Sequence, residues 1–438
     1  MRKSISVIVL AIACFAGCRK PGMEYKQEPT AGDYPSDVID KWLTLEIRLF
    51  RNAKGISNGA FARPFAYSGI CAFESTDPGR DSWKNKYNGL GSLPATDKWK
   101  VYHWPSSVNA SLAEFNRSFF TTANSSATDL AAIDSLEQAI RADFGFLPVP
   151  VADQSIGFGK SMADAVFAWS QTDSYNENNA LSYIVPMGPG LWQPTPPAFA
   201  KPIGPFWGRD RPIVAGSGNN AQPPAPTAYS EDPQSAFYKM VNDLYTASQH
   251  LTTDQKNWAF FWRDVPGVTT PGHWMSILQQ VIKQTNSRLD KATMAFALVG
   301  ICLTDANISV METKYTYNLV RPVTYIRKVI GDTGWLPIIA TPAHPEYSSA
   351  HSVVSSSAAE ALTVLYGNIG TFTDHTGADL GLPARSFNSF REIATDAGNS
   401  RFYGGIHYQP SINIGLSQGR TVGENVIGSL GLYRGKGK

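Results

Sequence analysis

Three short segments in the last third of the chain carry residues suited to holding an oxyanion. The first is Lys314-Tyr-Thr-Tyr-Asn-Leu-Val-Arg321-Pro322. Its two cations are seven residues apart, about two helical turns, so both can project from one face. The second is His344-Pro345-Glu346-Tyr347-Ser348-Ser349-Ala350-His351. It leads into a stretch where Val354, Ala358, Ala361, Leu362 and Leu365 repeat with a helical period, which predicts a helix with the Ser/Ala/His group at its start. Unpaired N–H groups and the helix dipole favour anions there; Ser349 can add a hydroxyl donor and Ala350 a backbone N–H. The third is Ser400-Arg401-Phe-Tyr-Gly404-Gly405-Ile-His407. The paired glycines let the backbone turn tightly, leaving Arg401 and His407 free to face one pocket. Singly, each of these residues has an ordinary use: a solvated helix face, an N-cap, a structural histidine. The combination is far more specific.

The elements that must position these groups read as helices. Residues 41–53 carry Trp42, Leu43, Leu45, Ile47 and Leu49, and 157–171 places Phe158, Met162, Val166 and Trp169 at spacings of three and four. Thr252-Thr-Asp-Gln255 offers a capping box ahead of Trp258, Phe261 and Trp262. A long apolar pattern runs over 287–319, and Pro322 blocks its continuation. A short amphipathic helix read from Phe387, Phe390, Ala394 and Ala397 is expected to stop at Gly398. No run of alternating strands suggests a sheet, so the expected fold class is all-α, with helices packed as bundles. Residues 192–214 and 216–229 are long Pro- and Gly-rich loops, which are uncommon without a purpose.

The 438 residues hold 38 Lys+Arg and 36 Asp+Glu, a net charge of +2, which argues against a general nucleic-acid binder. A content of 43 % hydrophobic and 12 % aromatic residues excludes a disordered chain. Arg2 and Lys3 precede an apolar run from Ile5 to Ala16, too short to span a bilayer but fitting an export signal. The run ends Phe15-Ala-Gly-Cys18, similar to the lipobox of bacterial lipoproteins with Phe15 in place of the usual Leu or Val. The resemblance implies cleavage before Cys18, lipidation of Cys18, and a membrane-anchored protein facing the periplasm or cell surface. The expected organisation is a signal peptide over 1–17, a lipidated tether over 18–40, an N-terminal helical region over 41–300 and a C-terminal helical region over 301–438 bearing the anion site. Cys71 and Cys302 lie in apolar, helix-like runs and read as buried free thiols rather than a disulfide.

Taken together, K-x6-R-P, S-x-H at a helix start and S-R-x5-H resemble the signature of the superfamily of vanadium-dependent haloperoxidases, bacterial acid phosphatases and type 2 phosphatidic acid phosphatases. WQPTPPAFAKPIGPFWG, TTDQKNWAFFWRD with PGHW, and TDANISVMETKYTYNLVRPVTYIR resemble its long, soluble haloperoxidase-like branch, over most of residues 40–432. The resemblance implies that Lys314, Arg321, Arg401, Ser349 and the Ala350 N–H bind the oxygens of vanadate or phosphate. His407 would ligate vanadium or attack phosphorus, and His351 would be the general acid–base. His344, seven residues before His351, would border the halide and favour bromide or iodide over chloride. The leading expectation is a vanadate-dependent enzyme that oxidises halide with hydrogen peroxide. The alternatives are an acid phosphatase without a cofactor, acting on a phosphoester through a phospho-histidine intermediate, and a non-catalytic anion-binding lipoprotein. Relatives usually place Asp four residues after the second histidine to orient it; here that residue is Ser411. Either His407 is less activated or another carboxylate orients it.

Overall fold

A computed structural model of the chain describes residues 29–76, 83–265 and 269–432. The expected signal peptide, Cys18 and the start of the tether lie outside these residues. Fourteen α-helices occur among the described residues: Asp37–Asn52 (α1), Ala62–Glu74 (α2), Trp104–Phe119 (α3), Ala127–Asp143 (α4), Val149–Ser170 (α5), Tyr175–Asn179 (α6), Ala236–Gln249 (α7), Thr253–Phe261 (α8), Thr270–Gln284 (α9), Leu289–Tyr317 (α10), Pro322–Tyr325 (α11), Ala350–Tyr366 (α12), Phe390–Tyr403 (α13) and Gln409–Ser429 (α14). The all-α expectation holds. One small hairpin accompanies the helices, Phe372–Asp374 (β1) against Arg385–Phe387 (β2), antiparallel with Phe372 opposite Phe387. Phe387 therefore sits in a strand rather than in the helix that follows.

Helix α10 is the axis of the molecule. It is apolar on all sides because it packs against α2 on one side and α12 on the other. Its composition would suit a bilayer span, yet 83 % of its most apolar window is buried inside the body, as in a core helix. The boundary expected at residue 300 falls in the middle of α10, so the two helical regions share this helix. The packed body also begins earlier than expected: Ala31 is buried, the Tyr34 carbonyl accepts the Leu289 N–H at 3.0 Å, and α1 starts at Asp37, inside the segment read as tether. The Thr252–Gln255 capping box forms with both reciprocal bonds. Cys71 and Cys302 are buried free thiols.

The helices around the site approach closely. A Cβ on Gly419 of α14 would lie 2.0 Å from the Val353 carbonyl of α12, so only glycine allows this contact. Gly398 has a similar use. Helix α13 does not stop there but runs on to Tyr403, because Gly398 faces Ser352 of α12, whose Oγ a Cβ would meet at 2.8 Å. The Pro-rich middle loops are fastened to the core. Buried Asp305 on α10 accepts the Ile213 and Val214 N–H groups (2.7 and 3.1 Å), and the Tyr317 and Tyr347 hydroxyls donate to the Pro223 and Pro224 carbonyls.

Candidate active site

The three motifs converge. Lys314 lies near the end of α10; Asn318, in the left-handed conformation, ends that helix, and Arg321 caps α11. Lys314 and Arg321 therefore meet through a chain reversal rather than from one helix face. Ser349 is the N-cap of α12, with Ala350 and His351 in its first turn. Arg401 lies in the last turn of α13, and Gly405, at φ +78°, turns the chain so that His407 returns to the same place. Lys314, Arg321, Ser349, His351, Arg401 and His407 are all buried.

The Arg321 guanidinium joins the segments. Nε donates to the His344 carbonyl at 2.9 Å and Nη1 to the Ile406 carbonyl at 2.9 Å, while Nη1 lies 3.2 Å from His407 Nε2 and Nη2 lies 3.0 Å from His344 Nδ1. Arg401 is held by the Ser400 hydroxyl and the Ala259 carbonyl, both at 3.0 Å. The Lys314 ammonium donates to three carbonyls, Pro345 (3.0 Å), Glu346 (3.0 Å) and Ser348 (2.6 Å). These contacts fasten the loop, while burial and the neighbouring Arg321 charge lower the Lys314 ammonium well below the ordinary lysine range, opposed by Glu346. Burial lowers Arg321 and Arg401 to about 10, so both are charged at neutral pH.

The carboxylate missing at Ser411 is supplied by Glu346. Its Oε1 accepts from His407 Nδ1 at 2.8 Å and from the Tyr408 N–H at 3.0 Å, and its Oε2 accepts from the Ser411 hydroxyl at 2.6 Å. A carboxylate only accepts, so Nδ1 carries the proton and Nε2 presents a lone pair beside Arg321. Burial pushes the Glu346 carboxyl upward, opposed by Ser411, Arg321 and Lys314. Burial, with Arg321 and Lys314, holds the His407 imidazole well below its ordinary range, hence neutral. Glu346 belongs to a quoted motif but was given no role from sequence. The lack of an acid at position 411 was the signal that another should exist.

His351 has its own support. Its Nε2 lies 2.8 Å from the Trp262 carbonyl and 3.7 Å from Asp264 Oδ1. Nε2 therefore carries the proton and Nδ1 is an acceptor. Burial and the Arg401 charge lower this imidazole to about 4. Trp262 is fixed in turn: its ring stacks on His273 at 4.1 Å, its indole N–H donates to Asp396 at 2.7 Å, and His273 Nε2 lies 2.7 Å from Asp374. The sequence assigns no site role to Asp264, Trp262 or His273: Trp262 and Asp264 meet His351 across the fold, and His273 joins Trp262 to Asp374, 101 residues further on.

A cavity of about 580 Å³ opens onto His344, Ala350, His351, Arg401 and His407, with Met311, Phe260, Trp207 and Ile203 among its apolar walls. The Pro-rich loop thus contributes Ile203 and Trp207 to the cavity wall. Tyr347 and Phe402 pack away from this wall, in the aromatic cluster around Tyr325 and Tyr408. A larger open groove of about 1270 Å³ beside α1, α4 and α9 contains none of the motif residues.

The donor set fits an oxyanion. Two buried guanidiniums charged at neutral pH, Arg321 and Arg401, share the site with one buried carboxylate, Glu346, while the Asp264 carboxylate that acts on Arg401 is exposed; such charge is costly to bury unpaired. The Ser349 hydroxyl is buried with no hydrogen-bond partner in the protein, at a helix start whose first N–H groups have no intrahelical acceptor. Among the described residues no group of three or more His, Cys, Asp or Glu is placed to hold a metal cation.

Residues 294–434 match the family described as the VCPO second helical-bundle domain. The structure resembles that of the first bacterial vanadium-dependent iodoperoxidase, with a TM-score of 0.82 and 32 % identity over 92 % of this chain and 98 % of that one. It also resembles a bacterial vanadium-dependent chloroperoxidase in its holo form (TM-score 0.62, 14 % identity, 92 % and 94 % covered) and apo form (0.63, 14 %, 86 % and 95 %). No curated protein sequence matches the chain. Identity and coverage against the iodoperoxidase, together with the matched helical-bundle domain, show that the chain belongs to the vanadium haloperoxidase family.

Proposed function

We propose that the protein binds vanadate in this cavity and oxidises iodide or bromide with hydrogen peroxide, X⁻ + H₂O₂ + H⁺ → HOX + H₂O. The observation that carries this is that Arg401, Ala350, His351 and the Glu346-oriented His407 open onto one cavity, with Arg321 against His407, the unpartnered Ser349 hydroxyl next to Ala350, and Lys314 bonded to the loop that bears Glu346. Arg401, Ser349 and the Ala350 N–H would hold the vanadate oxygens, Arg321 would exchange its contact with His407 Nε2 for one of them, and His407 Nε2 would ligate vanadium; the bound vanadate would supply a Lewis-acidic centre that polarises peroxide. The planar arginine forks suit oxygens in a plane. His351, neutral with Nδ1 free to accept, holds and returns the proton that the reaction consumes. His344 borders the cavity beside Arg321, where a large halide would meet an imidazole and a guanidinium. The similar bacterial protein described as an iodoperoxidase supports the choice of a large halide.

The test is halide oxidation by the purified protein with and without orthovanadate, beside hydrolysis of p-nitrophenyl phosphate. Vanadate-dependent oxidation of iodide or bromide is expected. Vanadate-inhibited phosphate hydrolysis would replace this reading with the phosphatase. Phosphate binding without either activity would leave an anion-binding protein, a reading that the Glu346 contact to His407 weakens. We also propose export and lipid anchoring at Cys18, supported by the Arg2-Lys3 start, the apolar run and the small residues before Cys18; the mass of the mature N-terminal peptide tests it.

A further inference from the structure

One end of the body presents large apolar side chains to solvent. Trp99 is 83 % exposed, Phe146 76 % and Val149 69 %. They come from two segments that the fold brings together. Residues 97–102 form a turn in which Asp97 accepts the Trp99 N–H at 3.0 Å and the Tyr102 hydroxyl accepts the Asp97 N–H at 3.1 Å, and this turn displays Trp99 at its tip. Gln154 of α5 donates to the Val101 carbonyl, fastening the turn beside the first two turns of α5, which starts at Val149. Phe146 sits just before that start, next to Phe144, whose ring packs on His103 at 4.6 Å. The Lys98 ammonium lies over the Trp99 ring at 4.9 Å, and Lys100 is also exposed.

The first described residues lie at the same end. The Trp104 indole donates to the Pro29 carbonyl at 2.9 Å, and Tyr34 packs edge-on against His103 at 5.0 Å. Pro29 lies eleven positions after Cys18, a span of at most about 40 Å even fully extended. A lipid on Cys18 would therefore hold this end near the bilayer. Aromatic side chains with neighbouring lysines are the residues that settle at the headgroup boundary.

We infer that Trp99, Phe146 and Val149 form a membrane-docking surface whose occupant is the lipid headgroup–acyl boundary, so that the anchored body lies on the bilayer in one orientation. The inference rests on the lipid-anchor reading for its geometry, while the surface itself can be tested without it. Ile184, 90 % exposed, serves as the control: its loop is fastened elsewhere, through the Tyr183 hydroxyl to Asn318 at 2.8 Å.

The experiment uses the full chain in detergent and in phosphatidylcholine–phosphatidylglycerol vesicles, with a nitroxide at Val149→Cys or, separately, at Ile184→Cys; Cys71 and Cys302 are buried. The expected result is a several-fold rise in oxygen accessibility over a water-soluble nickel chelate at position 149 on transfer to vesicles, with no change at 184. Trp99→Ser with Phe146→Ser should abolish that rise. Labels at both positions that stay equally water-accessible would overturn the docking surface. Spin–spin broadening at 149 that is the same in detergent and in vesicles would overturn it in favour of a contact between two copies. The mass of the N-terminal peptide reports lipidation separately. A chain without lipid on Cys18 is mixed with the same vesicles, so failure of the anchor and failure of the surface give different results.

Discussion

Replacing Glu346 by Gln separates the orientation of His407 from the overall charge of the site. Two effects oppose each other. Removing a buried negative charge beside Arg321 and Lys314 makes the site more attractive to any oxyanion. It also exchanges a charge-assisted hydrogen bond to His407 Nδ1 (2.8 Å) for a neutral one, which makes Nε2 a poorer ligand. The first effect is common to phosphate and vanadate and cancels in the ratio of their affinities. The second acts on vanadate, because only vanadium bonds to Nε2. A hydrogen bond to a charged acceptor is worth about 1.5–3 kcal/mol and a neutral one about 0.5–1.5, so the ratio should shift by about 1–1.5 kcal/mol, or about tenfold against vanadate. The assay is calorimetric titration of the wild-type protein and Glu346→Gln with phosphate and with vanadate. Glu346→Gln can keep an oxygen on Nδ1 and on the Tyr408 N–H (3.0 Å), so the fold should survive, as circular dichroism will show. A vanadate-to-phosphate ratio within twofold of wild type in a folded Glu346→Gln would refute the orienting role.

Four further outcomes follow from the same geometry. Ser349→Ala should leave the melting temperature unchanged, because the hydroxyl has no protein partner, yet weaken vanadate binding about fivefold, as expected for one lost hydrogen bond. Arg401→Lys loses the planar fork and should weaken vanadate binding tenfold or more by calorimetry. An unfolded histidine gains its proton below about pH 6.5, whereas buried His351 resists protonation down to about 4. The stability it contributes is therefore present above pH 6.5 and lost as pH falls toward 4. In urea unfolding at pH 7 and 4.5, the wild type should lose about 2–3 kcal/mol more than His351→Gln. Gly419→Ala forces a methyl to 2.0 Å from the Val353 carbonyl and should destabilise the protein by about 2 kcal/mol or more, read as a lower melting temperature.

Much of this was legible in the sequence because it is local. Helical period marked α10 and α12, Thr252 and Gln255 announced a cap, and the residue types at 314, 321, 349, 351, 401 and 407 named an oxyanion chemistry. What was not legible depends on distant packing. Glu346 meets His407 across 61 residues of chain, so no periodicity links them. Gly398 looked like a helix stop because its neighbour Ser352 is far away in sequence, and it is that neighbour which makes glycine necessary inside α13. Residues 29–40 read as a tether by composition, yet Ala31 is buried and the Tyr34 carbonyl takes the Leu289 N–H at the start of α10, a partner that only the folded chain provides.

The ammonium of Lys314, bonded to the carbonyls of residues 345, 346 and 348, carries a consequence for how the enzyme can vary. The loop that ends in Ser349 is bolted to the longest core helix at the segment bearing Glu346. Natural drift at this lysine would therefore do more than lower the charge: it would release three peptide oxygens at once and tilt the carboxylate that steers His407. Two functions, grip and aim, share a single side chain, so neither can be retuned there without disturbing the other.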